Sequence, residues 1–282
     1  MTQPQLQPPV DPTAQTIAFD ANLSIPGAPA PGRFVWHDIM TTDAAQTIAF
    51  YTGLFGWTTA EWDMGPAGMY TMLHNGAEAI GGVGPIDAGQ AAPSHWQCYV
   101  TVRSVDAAVE SAVALGGSAP YPATDIPEVG RFAVIVDQSG ARISPFKSLP
   151  GKESPESESR PVGSFIWYEL LTKDPESASR FYEEIFGWTH RAEDMGPFGT
   201  YYLFAREGKD LAGMMKMPED AAGPSQWVPY VHVADVDASA ARVQELGGTL
   251  YVAPADIPNV GRFSVCADPL GATFSIYKPL MR

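Results

Sequence analysis

Hydrophobic and polar residues alternate in short runs along most of the chain, and two patterns recur. Segments such as RFVWHDIMT at 33–41 alternate with the period of two that a half-buried strand requires. Segments such as AAQTIAFYTGLFG at 44–56 place Ile48, Tyr51 and Phe55 at helical spacing and end on a glycine. Short strand-like runs separated by glycines follow the helix. The pattern predicts one strand, one helix and then three strands.

The same order of elements occurs four times along the chain. HWQCYVTV opens a second module, in which SVDAAVESAVALGG predicts a helix and YPATD, RFAVIVD and ARISPFK predict strands. The second half then copies the first, because residues 33–150 align with residues 164–281 without a gap at an offset of 131. FYTGLFGWT matches FYEEIFGWT, DMGPAGMY matches DMGPFGTY, and DIPEVGRF matches DIPNVGRF. A duplication gives two versions of one design, so the kept positions mark a structural or functional constraint.

The repeat sets the predicted domain boundaries. Residues 33–147 form the first domain and residues 164–282 the second. The stretch 148–163 is rich in Pro, Ser and Glu, which predicts a polar linker. Residues 1–32 are rich in Pro, Gln and Ala and lie outside the repeat, so we expect a flexible arm.

Composition narrows the class of protein. A hydrophobic content of 45% and a charged content of 17% are typical of a globular protein. The formal net charge of −15 argues against nucleic acid or an anionic membrane as a partner, since both require clustered Lys and Arg. No membrane span or signal peptide is evident, so we expect a cytoplasmic protein. The two cysteines, Cys98 and Cys266, lie at unmatched positions of the repeat, which predicts neither a disulfide framework nor a cysteine-rich zinc site.

Three motifs occur in equivalent places of the two halves. They are TTD followed after six residues by FYTGLFGW, the helix VDAAVESAVALGG, and the closing turns DQSGARISPF and DPLGATFSIY. Together these motifs resemble the vicinal oxygen chelate superfamily, which includes glyoxalase I, bleomycin-resistance proteins, fosfomycin-resistance enzymes and extradiol dioxygenases. More narrowly, the chain looks like the two-domain glyoxalase-like proteins that include a mycobacterial antigen. The resemblance implies an α+β fold, in which four βαβββ modules form two cup-shaped half-barrel domains in tandem.

Metal-dependent members of this superfamily hold one divalent ion in the cup, usually through His, Gln or Glu on the opening and last strands of each module. In the first half the four positions fall on Trp36, Gly81–Gly82, Gln97 and Ser144. In the second half they fall on Trp167, Ala212–Gly213, Val228 and Ser275. Of these residues only Gln97 readily ligates a divalent ion. The resemblance therefore implies no cofactor at the standard site, although a divalent metal held in another way stays open.

The side chains expected to line each cup are mostly aromatic. Strand alternation places Phe34 and Asp38 on the same face as Trp36, so each half carries a carboxylate two residues after a Trp. An aromatic lining with a few polar groups is typical of a small-molecule pocket. The predicted ligand-binding residues are Trp36, Asp38, Gln97, Tyr99, Ser144, Phe146, Trp167, Glu169, Tyr230, His232, Ser275 and Tyr277.

Two interpretations of the kept carboxylates, Asp38 and Glu169, are open. As functional groups they are candidate catalytic or ligand-binding residues, with a pKa that burial can raise. As structural groups they would pair with Arg131 or Arg262 of the kept GRF segments, or contact a helix end. The DIPxVGRF loops themselves offer a pair between Asp125 and the arginine that follows it, and an equivalent pair in the second half.

Three functions are compatible with these residues. The first is metal-independent binding of a small molecule in an aromatic, acidic cup, as in bleomycin-resistance proteins that sequester a ligand. The second is an enzyme: a lyase like lactoylglutathione lyase (glyoxalase I), a dioxygenase, or a metal-free isomerase with Asp38 or Glu169 as the base. The third is a scaffold with vestigial cups. The missing metal ligands favour binding, and four modules in one chain allow a monomer or a homodimer.

Overall fold

The computed structural model describes residues 31–65, 68–86, 92–152, 160–196, 199–219 and 223–280. The predicted arm at 1–32 therefore lies almost entirely outside the described residues, as does the middle of the predicted linker. Within the described part of the chain, no helix is long and apolar enough to cross a membrane.

Each half contains two βαβββ modules, as the sequence pattern predicts. The first half consists of β1 (Phe34–Thr41), α1 (Ala44–Phe55), β2 (Thr58–Asp63), β3 (Met69–Asn75), β4 (Glu78–Pro85), β5 (His95–Thr101), α2 (Val105–Ala114), β6 (Ser118–Ile126), β7 (Gly130–Val136) and β8 (Arg142–Ser148). The second half consists of β9 (Phe165–Thr172), α3 (Pro175–Phe186), β10 (Thr189–Asp194), β11 (Thr200–Arg206), β12 (Lys209–Lys216), β13 (Gln226–His232), α4 (Val236–Glu245), β14 (Thr249–Ile257), β15 (Gly261–Ala267) and β16 (Thr273–Pro279). The predicted α+β class and the four modules are confirmed.

Local sequence signals explain where the first helix of each half begins and ends. The carboxylate of Asp43 accepts a hydrogen bond from the backbone N–H of Gln46 and caps α1, and Asp174 caps α3 in the same way. Gly56 and Gly187 follow these helices with φ of 71° and 69°, a left-handed conformation that favours glycine. Each helix therefore stops where the chain must turn back to the sheet.

Each half forms one eight-stranded mixed sheet. The strand order is β2-β3-β4-β1-β5-β8-β7-β6 in the first half and β10-β11-β12-β9-β13-β16-β15-β14 in the second. The opening strands of the two modules, β1 and β5, pair antiparallel at the centre of the sheet. Each is flanked by the parallel last strand of its own module, β4 or β8. The four strands that carry the predicted cup residues are thus neighbours.

The two halves share a hydrophobic core. Helix α1 packs on α4 of the second half, and α3 packs on α2 of the first half. The first helix of each half therefore contacts the second helix of the other half. The Tyr182 hydroxyl donates to Asp137 Oδ2 at 3.0 Å across this boundary. Tyr51 and Asp268 occupy the equivalent positions, and each shifts the pKa of the other. Both tyrosines are buried, so the interface between the halves is part of one continuous protein interior.

Aromatic residues kept in both halves form part of the core: Phe50, Tyr51 and Trp57 lie in it, and the partly buried Phe55 packs against it. Phe50, Tyr51 and Trp57 are each at most 2% exposed. The two cysteines, Cys98 and Cys266, are buried and free, which agrees with the expectation that they form no disulfide. Burial raises the pKa of the Cys266 thiol to about 11, so it stays protonated near neutral pH.

One expectation about β1 is wrong, because Phe34 does not share the cup face with Trp36. The pairing of β1 with β5 shifts register between these two residues, which marks a β-bulge. A bulge adds a residue to one strand and interrupts the alternation of side chains. Phe34 instead stacks on Tyr168 of the other half, with ring centroids 3.6 Å apart. The equivalent Phe165 lies at the same kind of register shift.

Candidate ligand-binding cups

Asp38 lies at the centre of a hydrogen-bond network on the floor of the first cup. Its Oδ1 accepts a hydrogen bond from Trp36 Nε1 at 3.0 Å and another from the Tyr70 hydroxyl. Its Oδ2 accepts a hydrogen bond from the Tyr99 hydroxyl at 2.7 Å. Trp36 Nε1 also lies 2.9 Å from the Tyr70 oxygen, which ties the donors to each other. Three aromatic donors therefore hold one carboxylate.

Burial dominates the electrostatics of this carboxylate. Asp38 is 8% exposed, and its removal from water raises its pKa above the usual range. The hydrogen bonds from Tyr70, Tyr99 and Trp36 stabilise the ionised form and oppose this rise. The same carboxylate and burial raise the pKa of both tyrosines, so the phenols remain donors.

The second cup repeats the network with a longer carboxylate. The Tyr201 hydroxyl donates to Glu169 Oε2 at 3.1 Å, and Trp167 Nε1 donates to the Tyr201 oxygen at 3.3 Å. Burial raises the pKa of Glu169 to about 7, while Tyr201 and Tyr230 oppose the rise. Glu169 is only half-buried and keeps contact with solvent. Three equivalent aromatic residues, a Trp and two Tyr, thus surround the carboxylate position in both halves.

The arginines of the GRF segments do not reach these carboxylates. Arg131 binds Asp106 and Asp125, each at 2.8 Å, and Arg262 makes the equivalent bond to Asp256 at 3.0 Å. The predicted pairs across the DIPxVGRF loops are therefore present. The structural interpretation of the kept carboxylates as partners of these arginines is wrong. The GRF segments begin β7 and β15 near the outer edge of each sheet, away from the central opening strand.

Sequence reasoning missed the tyrosine that completes each network. Tyr70 lies on β3 and Tyr201 on β11, at the end of the kept DMGPxGxY segment. Each hydroxyl reaches the carboxylate over a glycine of the neighbouring strand, Gly82 or Gly213, where an added Cβ would overlap the hydroxyl. In both sheets the glycine pairs directly with the carboxylate residue. The signal was present in the chain, because both the tyrosine and the glycine are identical in the two halves.

Family models match both halves of the chain. Residues 33–144 match the model described as the Glyoxalase/Bleomycin resistance protein/Dioxygenase superfamily, and residues 167–277 match the Glyoxalase-like domain model. The chain belongs to the glyoxalase/bleomycin resistance protein/dioxygenase superfamily. The resemblance stated from the motifs is confirmed.

Relatives and a solved structure agree with this membership. "Putative glyoxylase CFP32" of Mycobacterium tuberculosis (strain CDC 1551 / Oshkosh) is 36% identical over 247 residues, which cover 86% of this chain and 94% of that protein. "Anthracycline biosynthesis protein DauV" of Streptomyces sp. (strain C5) is 31% identical over 261 residues, covering 88% and 93%. The Mn(II)-bound glyoxalase from Novosphingobium aromaticivorans matches with a TM-score of 0.61 at 14% identity, covering 89% of this chain and 83% of that one. The structural likeness concerns the fold and confirms two tandem cup-shaped domains.

The metal positions of the superfamily do not offer a metal site in this member. The β4 position is a glycine whose space the Tyr70 hydroxyl fills. The Gln97 amide donates to Ser144 Oγ at 3.0 Å, so these two positions bind each other. Within the described residues, no group of three or more His, Cys, Asp or Glu could hold a metal ion. The donors present do not fit the divalent ion of the metal-dependent members.

The remaining predicted residues of this superfamily member lie around the networks with one exception. The ring centroid of Phe146 lies 6.4 Å from that of Tyr99, and the ring centroid of Tyr277 lies 6.2 Å from that of Tyr230. His232 is the exception, because its Nδ1 lies 2.8 Å from the backbone oxygen of the linker residue Arg160. This contact directs the imidazole to the linker and away from the carboxylate.

Two hollows on the described surface lie outside the cups. One of about 570 Å³ lies between the DIPNVGR loop and the end of β16, and one of about 370 Å³ lies at the start of α3. Neither contains a member of the two networks.

Proposed function

We propose that this superfamily member binds small organic molecules in its cups without a metal ion. The observation that carries the proposal is the tyrosine hydroxyl above Gly82 and Gly213, at a position where metal-dependent members place a ligand. The hydroxyl there binds the kept carboxylate and replaces a metal ligand with a hydrogen-bond donor. Retention of the whole network in both halves supports a role beyond packing.

The chemistry of the lining supports an aromatic or otherwise apolar ligand with a hydrogen-bonding group. Indole and phenol rings supply flat apolar surface, and a carboxylate among them supplies a strong acceptor. A relative named for anthracycline biosynthesis is consistent with an aromatic ligand. Each sheet takes all eight strands from one half, so the cups need no second chain. A cytoplasmic location belongs to this proposal, because both cysteines are free.

Phenol is a suitable probe for this function. We expect phenol to shift the indole N–H signal of Trp36, Trp167 or both in a nitrogen-15 NMR titration, with a Kd of about 1 mM for so small a ligand. The titration should be the same with and without EDTA. A titration in which neither indole signal moves, or in which EDTA abolishes the shift, would refute metal-independent binding.

A second candidate function is proton transfer by Glu169. A pKa of about 7 and partial solvent contact suit a general base at neutral pH. Hydroxyacetone in D₂O tests this activity, because a base that removes its activated C–H proton exchanges it for deuterium. We expect the protein to accelerate the exchange and Glu169→Gln to abolish the acceleration. An exchange rate equal to that of buffer would exclude the activity for this substrate class.

A further inference from the structure

The two carboxylates differ in how completely the protein satisfies them. Asp38 accepts hydrogen bonds from an indole and two phenols and is 8% exposed. Glu169 is one methylene longer and half-buried. The indole of Trp167 binds the Tyr201 hydroxyl and not the carboxylate. The second carboxylate therefore keeps both solvent contact and capacity to accept another donor.

Ser275, a second polar group on the floor of the second cup, lacks the glutamine that binds its first-cup equivalent and, among the described residues, interacts only with Tyr230. In the first half, Ser144 Oγ accepts a hydrogen bond from Gln97. Val228 replaces that glutamine in the second half, and the fully buried Ser275 Oγ has no hydrogen bond of normal geometry within the described chain. Ser275 is aligned with Tyr230 in the parallel pairing of β13 with β16. A buried hydroxyl without a hydrogen bond of normal geometry costs free energy that a ligand can recover.

The surroundings of Glu169 favour a positively charged ligand. Within the described residues, no Arg or Lys forms an ion pair with Glu169. The hydroxyls of Tyr201 and Tyr230 donate to Glu169, and Trp167 and Tyr277 lie beside these phenols. Four aromatic rings are therefore near the carboxylate, and aromatic rings attract cations. An uncompensated carboxylate within an aromatic wall is the arrangement that suits an ammonium group.

We propose that the second cup, and not the first, binds a protonated amine carried on an aromatic or apolar body. The ammonium group donates to Glu169, and the body lies against Trp167 and the neighbouring phenols. In the first cup an indole and two phenols already donate to Asp38, which leaves little acceptor capacity for an ammonium group. This inference rests on the proposed function and names its ligand class and its cup.

Benzylamine and benzyl alcohol test the inference, because they share a ring and differ in charge. We expect benzylamine at pH 8 to shift the indole N–H signal of Trp167 and leave that of Trp36 in place. We expect it to bind about ten times more tightly than benzyl alcohol, the factor that 1.4 kcal/mol supplies. Glu169→Gln should remove this preference, and Glu169→Asp, which copies the first cup, should reduce it.

Glu193→Gln is the matched control, since it removes the same charge from the exposed edge strand β10, where Glu193 pairs with Arg191. It should leave benzylamine binding unchanged. Equal affinity for the two probes, a shift confined to Trp36, or a preference that survives Glu169→Gln would overturn the inference while a phenol response still supported the proposed function. If phenol also moves neither signal, both fail.

Discussion

His37 and Tyr168 occupy the same position in the two halves, and they bind each other, with His37 Nε2 2.7 Å from the Tyr168 oxygen. His37 Nδ1 lies 2.9 Å from the Ile80 carbonyl oxygen, which can only accept, so the neutral ring donates there and accepts the Tyr168 proton at Nε2. His37 stacks on Phe165 at 3.9 Å, and Tyr168 stacks on Phe34 at 3.6 Å. One duplicated position has become a complementary pair at the boundary between the halves.

This pair predicts a loss of stability in mild acid. Burial lowers the pKa of His37 from 6.5 to about 4; the Ile80 hydrogen bond opposes this shift, and Arg160 adds to it. The unfolded chain takes up the proton near pH 6.5, so this stabilisation is complete above pH 6.5. We expect about 3 kcal/mol of unfolding free energy to be lost as the pH falls to 4.

Urea unfolding from pH 8 to pH 4 measures this effect. His37→Gln should be less stable at pH 7 but should show a shallower fall in acid, because glutamine takes up no proton. The contribution of His37 is the difference between the two pH profiles. Parallel profiles would show that His37 does not carry the acid sensitivity.

Glu169 predicts a pH effect of the opposite sign. Burial raises its pKa from 4.5 to about 7, and the groups that face it are Tyr201 and Tyr230. The folded protein therefore holds this proton more tightly than the unfolded chain, which stabilises it fully below pH 4.5. We expect roughly 2 kcal/mol of this stability to be lost as the pH rises through 7, after allowance for solvent contact. Glu169→Gln should gain stability over wild type between pH 5 and pH 8, whereas a constant difference would contradict the raised pKa.

A side chain at Gly82 should displace Tyr70. An added Cβ at Gly82 overlaps the ring and hydroxyl of Tyr70, whereas at Gly84 it meets only the flexible thioether of Met40. Gly82→Ala should push Tyr70 away from Asp38 and cost about 1–3 kcal/mol of unfolding free energy, the range for a buried group that loses its partner. Gly84→Ala on the same strand should cost less. Equal losses in denaturant unfolding would contradict the placement of the tyrosine.

Tyr182 and Tyr51 provide a matched pair across the boundary between the halves. Tyr182→Phe leaves Asp137 Oδ2 without its donor, and Tyr51→Phe removes the hydroxyl that lowers the pKa of Asp268. Each change should lower the unfolding free energy by about 1–3 kcal/mol. Because the halves share one core, calorimetry should show a single transition for wild type and both variants. Two separate transitions would show that the halves unfold independently.

The sequence predicted the elements of this fold well, because local signals decide them. Asp43 caps the N-terminus of α1, and Gly56 ends the helix in a left-handed conformation. The alternation of β1 correctly placed Trp36 and Asp38 on one face. The alternation did not predict the position of Phe34, because a β-bulge depends on how two strands pair and cannot be recognised from the sequence of one strand.

The site was predicted in part for the same reason. Trp36, Asp38 and Tyr99 come from the two central strands, and alternation alone brings them together. Tyr70 comes from β3 and crosses over Gly82, a contact that requires the register of β3 against β4. The repeat showed that this tyrosine is kept but not what it binds. Partners from separate parts of the chain become visible only in the folded structure.

The proposed function requires that a Trp, two Tyr and a carboxylate take the place of metal ligands in both cups. Titration with Mn²⁺ tests it most directly, because a paramagnetic ion bound in a cup broadens nearby NMR signals severely. The indole N–H groups of Trp36 and Trp167 donate into the two networks and report on each cup separately. We expect both signals to keep their intensity when Mn²⁺ is stoichiometric with the cups. Selective loss of either signal, reversed by EDTA, would show that the corresponding cup binds a metal ion and would contradict the replacement of metal ligands.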